Sequence, residues 1–145
     1  MKISIVTNAF NQGKFLRRCM ESVLRQTGAD LEYIVIDPGS TDNTASILNE
    51  YEARNDPRLV IVREPDNGPG DGLNKGFERA TGDWFIYLNA DDFFLPGVFE
   101  QAVAALERNP DADCLYGDGY ITDAEGRAVR RVYSTEFTLD KTVLG

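Results

Sequence analysis

The chain predicts an α/β fold, a mostly parallel sheet flanked by helices. Three observations point there. Short β-branched runs alternate with stretches of helical period along most of the length. The connections between them are short, as right-handed βαβ units require. The apolar run Trp84 to Leu88, bounded by Asp83 and Asn89, has the pattern of a strand buried on both faces.

Lys2 to Thr7 is β-branched and reads as the first core strand. From Lys14 to Gln26, Phe15, Leu16, Cys19, Met20, Val23 and Leu24 line one helical face, leave Arg17, Arg18, Glu21 and Arg25 to water, and stop at Gly28. Leu31 to Ile36 is a second strand, and Asp37-Pro38-Gly39 a turn. Ser40 or Thr41 is then placed to cap a helix from about Asp42 to Tyr51. Arg58 to Arg63 is a third strand. The glycine-, proline- and acid-rich segment Glu64 to Gly72 reads as a loop feeding a helix over Leu73 to Ala80. After the Trp84 to Leu88 strand, Pro96 and Gly97 introduce a helix that ends near Asn109 and Pro110. Tyr120 to Thr122 and Ala128 to Tyr133 form a hairpin, with Asp118 in a structural turn before it, and Thr135 to Gly145 holds no complete element.

With 145 residues, 42% hydrophobic and 27% charged, the chain suits one soluble domain. No apolar run is long enough to span a bilayer and the start lacks a signal peptide, so a cytoplasmic location is expected, free or at the inner face of the membrane. A net charge of −9 argues against nucleic acid as a partner. The two cysteines, Cys19 and Cys114, sit in apolar contexts and read as buried free thiols. The absence of histidine removes Ser-His-Asp, Cys-His and His-ligated zinc chemistry, which leaves carboxylates, amides, Lys and Arg as working groups.

Those groups cluster. Asn8 and Asn11 follow the first strand, Asp37 the second, and Asn89, Asp91 and Asp92 the fourth. In an open parallel sheet the carboxyl ends of the strands border the ligand crevice, so the clusters converge on one place. Two adjacent acids there call for water, a donor or a cation, and a hard divalent metal carrying phosphates meets that need. A solvated turn with a helix cap is the plainer reading of Asp91-Asp92 taken alone. Thr7 to Gln12 holds no G-x-G-x-x-G, and no loop carries the Gly-Lys-Ser/Thr of a P-loop.

The set Ile5-Val6-Thr7-Asn8-Ala9-Phe10-Asn11, Ile34 to Thr44, Glu64 to Gly76 and Ala80 to Asp92 resembles the amino-terminal half of family 2 glycosyltransferases. The resemblance implies the GT-A fold, a Rossmann-like arrangement, and inverting transfer from a nucleotide-diphosphate sugar to a saccharide or lipid-linked acceptor, as in cell-surface polysaccharide biosynthesis. It implies that Asp37 contacts the nucleotide base, usually uracil, and that Thr7 and the Asn8 to Asn11 loop wall the base pocket. Asp71, Asn74 and Lys75 match the segment along the nucleotide-sugar. Asn89-Ala90-Asp91 stands where the family has its D-x-D motif, so Asp91 is the expected ligand of Mn²⁺ or Mg²⁺, with Asp92 facing the sugar or the ion's outer shell.

There are departures. Pro38 takes a position often acidic in the family, and Asn89 replaces the first acid of D-x-D. The family's acceptor-binding part and its general base match nothing here, so the chain is expected to be an incomplete, C-terminally truncated GT-A domain with no catalytic residue of its own. Two other readings are a sugar nucleotidyltransferase, which would show a Gly-rich basic loop in place of Thr7 to Gly13, and a non-catalytic interaction module.

Overall fold

The computed structural model describes residues 1–134, so the expectation for Thr135 to Gly145 lies outside the described residues. The chain divides into two compact units, Met1–Glu107 and the part from Arg108 onward. The elements of the first alternate as expected: β1 (Lys2–Asn8), α1 (Leu16–Leu24), β2 (Asp30–Ile36), α2 (Thr44–Glu52), β3 (Leu59–Val62), α3 (Pro69–Phe77), β4 (Trp84–Tyr87) and α4 (Val98–Arg108). All four strands are parallel, in the order β3-β2-β1-β4, with Ile3 level with Leu31 on one side and Trp84 on the other.

Alternation along the central strands divides the core. Ile3 and Ile5 of β1 and Tyr33 and Val35 of β2 pack with Cys19, Met20 and Val23 of α1, Leu48 and Tyr51 of α2 and Phe99 of α4. On the opposite side Val6, Ile34, Ile36 and Val62 lie under Leu73, Phe77 and Ala80.

The strand buried on both faces is not the one expected. Phe85 and Tyr87 of β4 are 54% and 44% exposed, whereas β1 and β2 are buried along almost their whole length. The reason is position: β4 sits at the edge of the four-stranded sheet and α3 lies over β1 and β2, so only the Trp84 and Ile86 side of β4 joins the core.

Helix α3 begins at Pro69 rather than Leu73 and ends at Phe77 rather than Ala80. Gly68, at φ 120°, turns the chain, and Pro69 supplies a first helical residue whose φ is already set. Gly72 and Gly76, one turn apart, leave no room for a side chain, Gly72 against Asp66 and Asn8 and Gly76 against Val6 of β1. A Cβ on Gly76 would be 2.3 Å from Val6 Cγ1. At the start of α2, neither Ser40 nor Thr41 caps. Asn43 holds the capping position and Asp42 Oδ1 accepts from the Thr44 amide at 2.9 Å, because the Ser40 and Thr41 hydroxyls are turned toward Asp37 and Asn11. Glu21 of α1 is not left to water, since Tyr51 and Arg54 both donate to it at 2.8 Å.

In the second unit β5 (Gly119–Thr122) and β6 (Ala128–Val132) form the expected antiparallel hairpin, with a bulge at Ile121/Thr122. Asp118 takes the structural role expected of it, accepting from Arg131 at 2.7 Å and from the Ser134 amide at 2.9 Å. Cys114 is exposed, against expectation, while Cys19 is buried; the apolar residues beside it, Leu115 and Tyr116, are themselves 43% and 50% exposed.

Candidate functional site

Because β1, β2 and β4 are parallel neighbours, their carboxyl ends share one edge of the sheet. The order β3-β2-β1-β4 also means that the winding reverses between β1 and β4, and such a reversal opens a crevice beyond the strand ends. Asn8, Asp37 and the Asn89 to Asp92 turn all sit on that edge.

At the end of β2, Asp37 is 3% exposed. Its Oδ1 accepts from the Gly39 amide at 3.2 Å, the Ser40 amide at 2.8 Å and the Ser40 hydroxyl at 2.6 Å, and none of these bonds uses Oδ2. The turn is clasped to the β1–α1 loop. Asn11, at φ 53°, accepts through Oδ1 from the Thr41 amide at 2.8 Å, while its own amide donates to Ser40 Oγ at 2.9 Å. Gly13 donates to Asp42 Oδ2 at 3.0 Å.

Two expected pocket residues have side chains engaged within the protein. The Asn11 side-chain oxygen is occupied in holding two loops together, and Thr7 is fully buried. The Thr7 side chain points into the core, where its hydroxyl accepts from Tyr33 at 3.2 Å, because the alternation that puts Asn8 on the α3 side puts Thr7 on the α1 side. Asn8 donates to the Pro69 carbonyl at 2.7 Å, tying β1 to the first turn of α3. In that helix Asp71 Oδ2 accepts from the Asn67 amide at 2.9 Å and from Lys75 at 3.0 Å, and Lys75 also donates to the Pro65 carbonyl at 2.6 Å. Asp71 and Lys75 thus shape the Glu64 to Gly68 loop. The bond from the Asn67 amide, then that from Lys75, holds the Asp71 carboxyl below the usual range. Asn74 is exposed on the same helix.

Beyond β4 the alternation continues into the turn. Leu88 and Ala90 are buried at 6% and 3%, while Asn89, Asp91 and Asp92 face outward. Leu88 still bonds to the Val6 carbonyl at 3.0 Å, and the Asp92 amide closes the turn on the Asn89 carbonyl at 3.1 Å. Asn89 Nδ2 donates to Asp92 Oδ2 at 3.1 Å, Asn89 Oδ1 accepts from the Tyr87 hydroxyl, and the Cys19 thiol meets the Asn89 carbonyl at 3.5 Å.

No Lys or Arg forms an ion pair with Asp91 or Asp92 among the described residues. Their charge is felt nearby: the Tyr87 phenol is held above its usual range by burial first and then by Asp91 and Asp92. An exposed oxygen-only donor set of this kind fits a hard divalent ion. Among the described residues no three acidic, Cys or His side chains gather into a closed cage, so such an ion would keep water and phosphate oxygens in its shell.

Nothing in the local sequence marks Ser40, Tyr87 and Cys19 as members of this edge. Cys19 carries the periodicity of a core position, and nothing in the spacing shows that its thiol lies beneath Asn89. Phe10, 52% exposed just beyond β1, is an aromatic face at the same edge that composition alone does not distinguish from a stray surface residue.

The family description "Glycosyl transferase family 2" matches residues 4–142. The chain belongs to that family. A PGL/p-HBAD biosynthesis glycosyltransferase of Mycobacterium bovis is 35% identical to this family 2 chain over 116 residues, 79% of the chain and 45% of the relative. The chondroitin synthase of Escherichia coli is 33% identical over 132 residues, 91% of the chain and 19% of that enzyme. The chain therefore spans about half, 45%, of the length of the first of these and less of the second.

Among solved structures, S. aureus TarS 1-349 in complex with UDP-GlcNAc superposes with a TM-score of 0.66 at 26% identity, over 74% of this chain and 32% of that one. The mannosyltransferase PcManGT from Pyrobaculum calidifontis, in complex with GDP-Man and Mn²⁺, superposes with a TM-score of 0.64 at 23% identity, over 83% and 35%. The fold of this family 2 chain is thus the GT-A glycosyltransferase fold. No helix among its described residues is long and apolar enough to cross a membrane.

Proposed function

We propose that the chain is a donor-binding domain that holds a nucleotide-diphosphate sugar, a UDP-sugar, through Mn²⁺ or Mg²⁺ for inverting transfer of the sugar to an acceptor hydroxyl. The observation that carries this reading is the Asp91 carboxylate, exposed and without a cationic partner among the described residues, on a turn anchored by buried Leu88 and Ala90 at the reversal point of the sheet. Family membership supports it over a nucleotidyltransferase, and the UDP-GlcNAc bound by TarS and the GDP-Man and Mn²⁺ bound by PcManGT support a nucleotide sugar and a divalent ion.

On this reading Asp37 presents Oδ2 to the base, Phe10 offers a face on which the base stacks, and Asn8 and Asn74 line the α3 side of the crevice. Asp91 would hold the ion, with Asp92 facing the sugar or the ion's outer shell. A divalent ion held there would supply positive charge to stabilise a leaving diphosphate. Asp71 and Lys75 act by shaping the loop over the donor. No general base is assigned among the described residues.

Calorimetric titration of UDP into the chain with and without Mn²⁺ tests the reading. A metal-dependent heat that disappears in Asp91→Ala is expected. A folded chain that gives no such heat, or an Asp91→Ala variant that binds as the parent does, would overturn it.

A further inference from the structure

Asn89 stands where an acid would be the family's choice, and the contacts around it give that exchange a chemical sense. Its side-chain oxygen accepts from the Tyr87 hydroxyl and its nitrogen donates to Asp92 Oδ2 at 3.1 Å, so the amide is used at both ends. The orientation follows from the partners: a carboxylate needs the NH₂ end, which leaves the oxygen for the phenol. An aspartate at this position could accept from Tyr87 but could offer Asp92 only a second negative charge. Asn89 is also held from below, by the Cys19 thiol at its carbonyl, and that thiol lies 3.5 Å from the Tyr33 hydroxyl, which donates to Thr7. One residue is thus gripped from β4 through its side chain and from α1 through its backbone.

We propose that Asn89 is not a metal ligand but a bridge, and that Tyr87 is a positioning residue acting through it to aim the Asp92 carboxylate beside Asp91. The inference rests on the metal-dependent reading of the turn given above. Tyr87 lies at the open edge of the sheet, with its hydroxyl reaching two residues along the chain to the turn, so removal of that hydroxyl frees the amide to rotate without disturbing the core. Asn89 is one bond from Asp92, whose carboxylate stands beside Asp91, and Tyr87 is two; groups that orient the shell around a bound metal commonly change its affinity ten- to a hundredfold.

The test is a double-mutant cycle on Mn²⁺ affinity, read by electron paramagnetic resonance with UDP present, using the full chain and its Tyr87→Phe, Asn89→Ala and combined variants. Tyr87→Phe is expected to weaken Mn²⁺ binding about tenfold with its melting temperature within a degree or so of the parent. In the Asn89→Ala background the same change is expected to do nothing further. Equal losses in both backgrounds, or no loss in either, would overturn the bridge while leaving the donor-site reading intact. A parent chain that binds no Mn²⁺ in the presence of UDP would overturn both.

Discussion

The Ser40 hydroxyl donates to Asp37 Oδ1 at 2.6 Å, and two backbone amides join it on the same oxygen. One side of a nearly buried carboxylate is therefore committed to the protein. Asp37→Asn keeps an oxygen for those three donors and replaces the other oxygen by an NH₂ group. A hydrogen bond to a charged group contributes about 1.5–3 kcal/mol, so UDP affinity is expected to fall roughly ten- to a hundredfold in Asp37→Asn, measured by calorimetry, with little change in melting temperature.

At the opposite end of the sheet Glu32 accepts from Ser4 at 2.6 Å, from Lys2 at 3.1 Å, and from the amide and hydroxyl of Thr81 at 2.7 and 2.8 Å. Burial pushes this carboxyl up, but the bonds from Ser4, Thr81 and Lys2 outweigh it and bring it down to about 2. A carboxyl depressed on folding adds stability that is complete above its unfolded value, near 4.5, and is lost as pH falls through about 2. Glu32→Gln is expected to cost about 2 kcal/mol at pH 7 and to flatten the loss of stability between those two values. Urea unfolding at a series of pH values measures both.

Gly76 leaves no room above Val6. A methyl group there would lie 2.3 Å from Cγ1 of a β-branched residue on a central strand that cannot yield. Gly76→Ala is expected to lower stability by about 1–3 kcal/mol even though alanine favours helices, because overpacking outweighs propensity. Gly70, where an added Cβ meets nothing within 4 Å, is the control: Gly70→Ala is expected to leave the denaturation midpoint unchanged or raise it.

The two thiols differ in environment. Cys19 is wholly buried, and burial pushes it up to about 11 against the bonds from Tyr33 and Thr7 that act the other way. Cys114 is exposed. Iodoacetamide at pH 7.5 is expected to label Cys114 within minutes on the native chain and Cys19 only after unfolding, as mass spectrometry of the peptides would show.

Much of this molecule follows from local pattern. The alternation of β-branched runs with helical periods places β1 to β4 and α1, α2 and α4 in order, because period and turn chemistry are properties of neighbouring residues. The crowding of Asn8, Asp37 and Asp91 at strand ends is legible for the same reason. The α3 start is not, because Pro69-Gly70-Asp71-Gly72 has loop composition, and the helix begins where Gly68, at φ 120°, turns the chain and Pro69 supplies the first helical residue.

What the sequence determined by itself is the parallel α/β arrangement and the side of the sheet on which its acids and amides gather. Tertiary structure alone decided which strand is central, since burial of β1 and exposure of Phe85 on β4 depend on where each lies in the sheet. It also decided which polar groups are spent on internal bonds. Thr7 and Asn11 are bonded to Tyr33 and Thr41, more than 25 residues away along the chain, while Asp91 is left outside, and bonds of that span cannot be read from spacing.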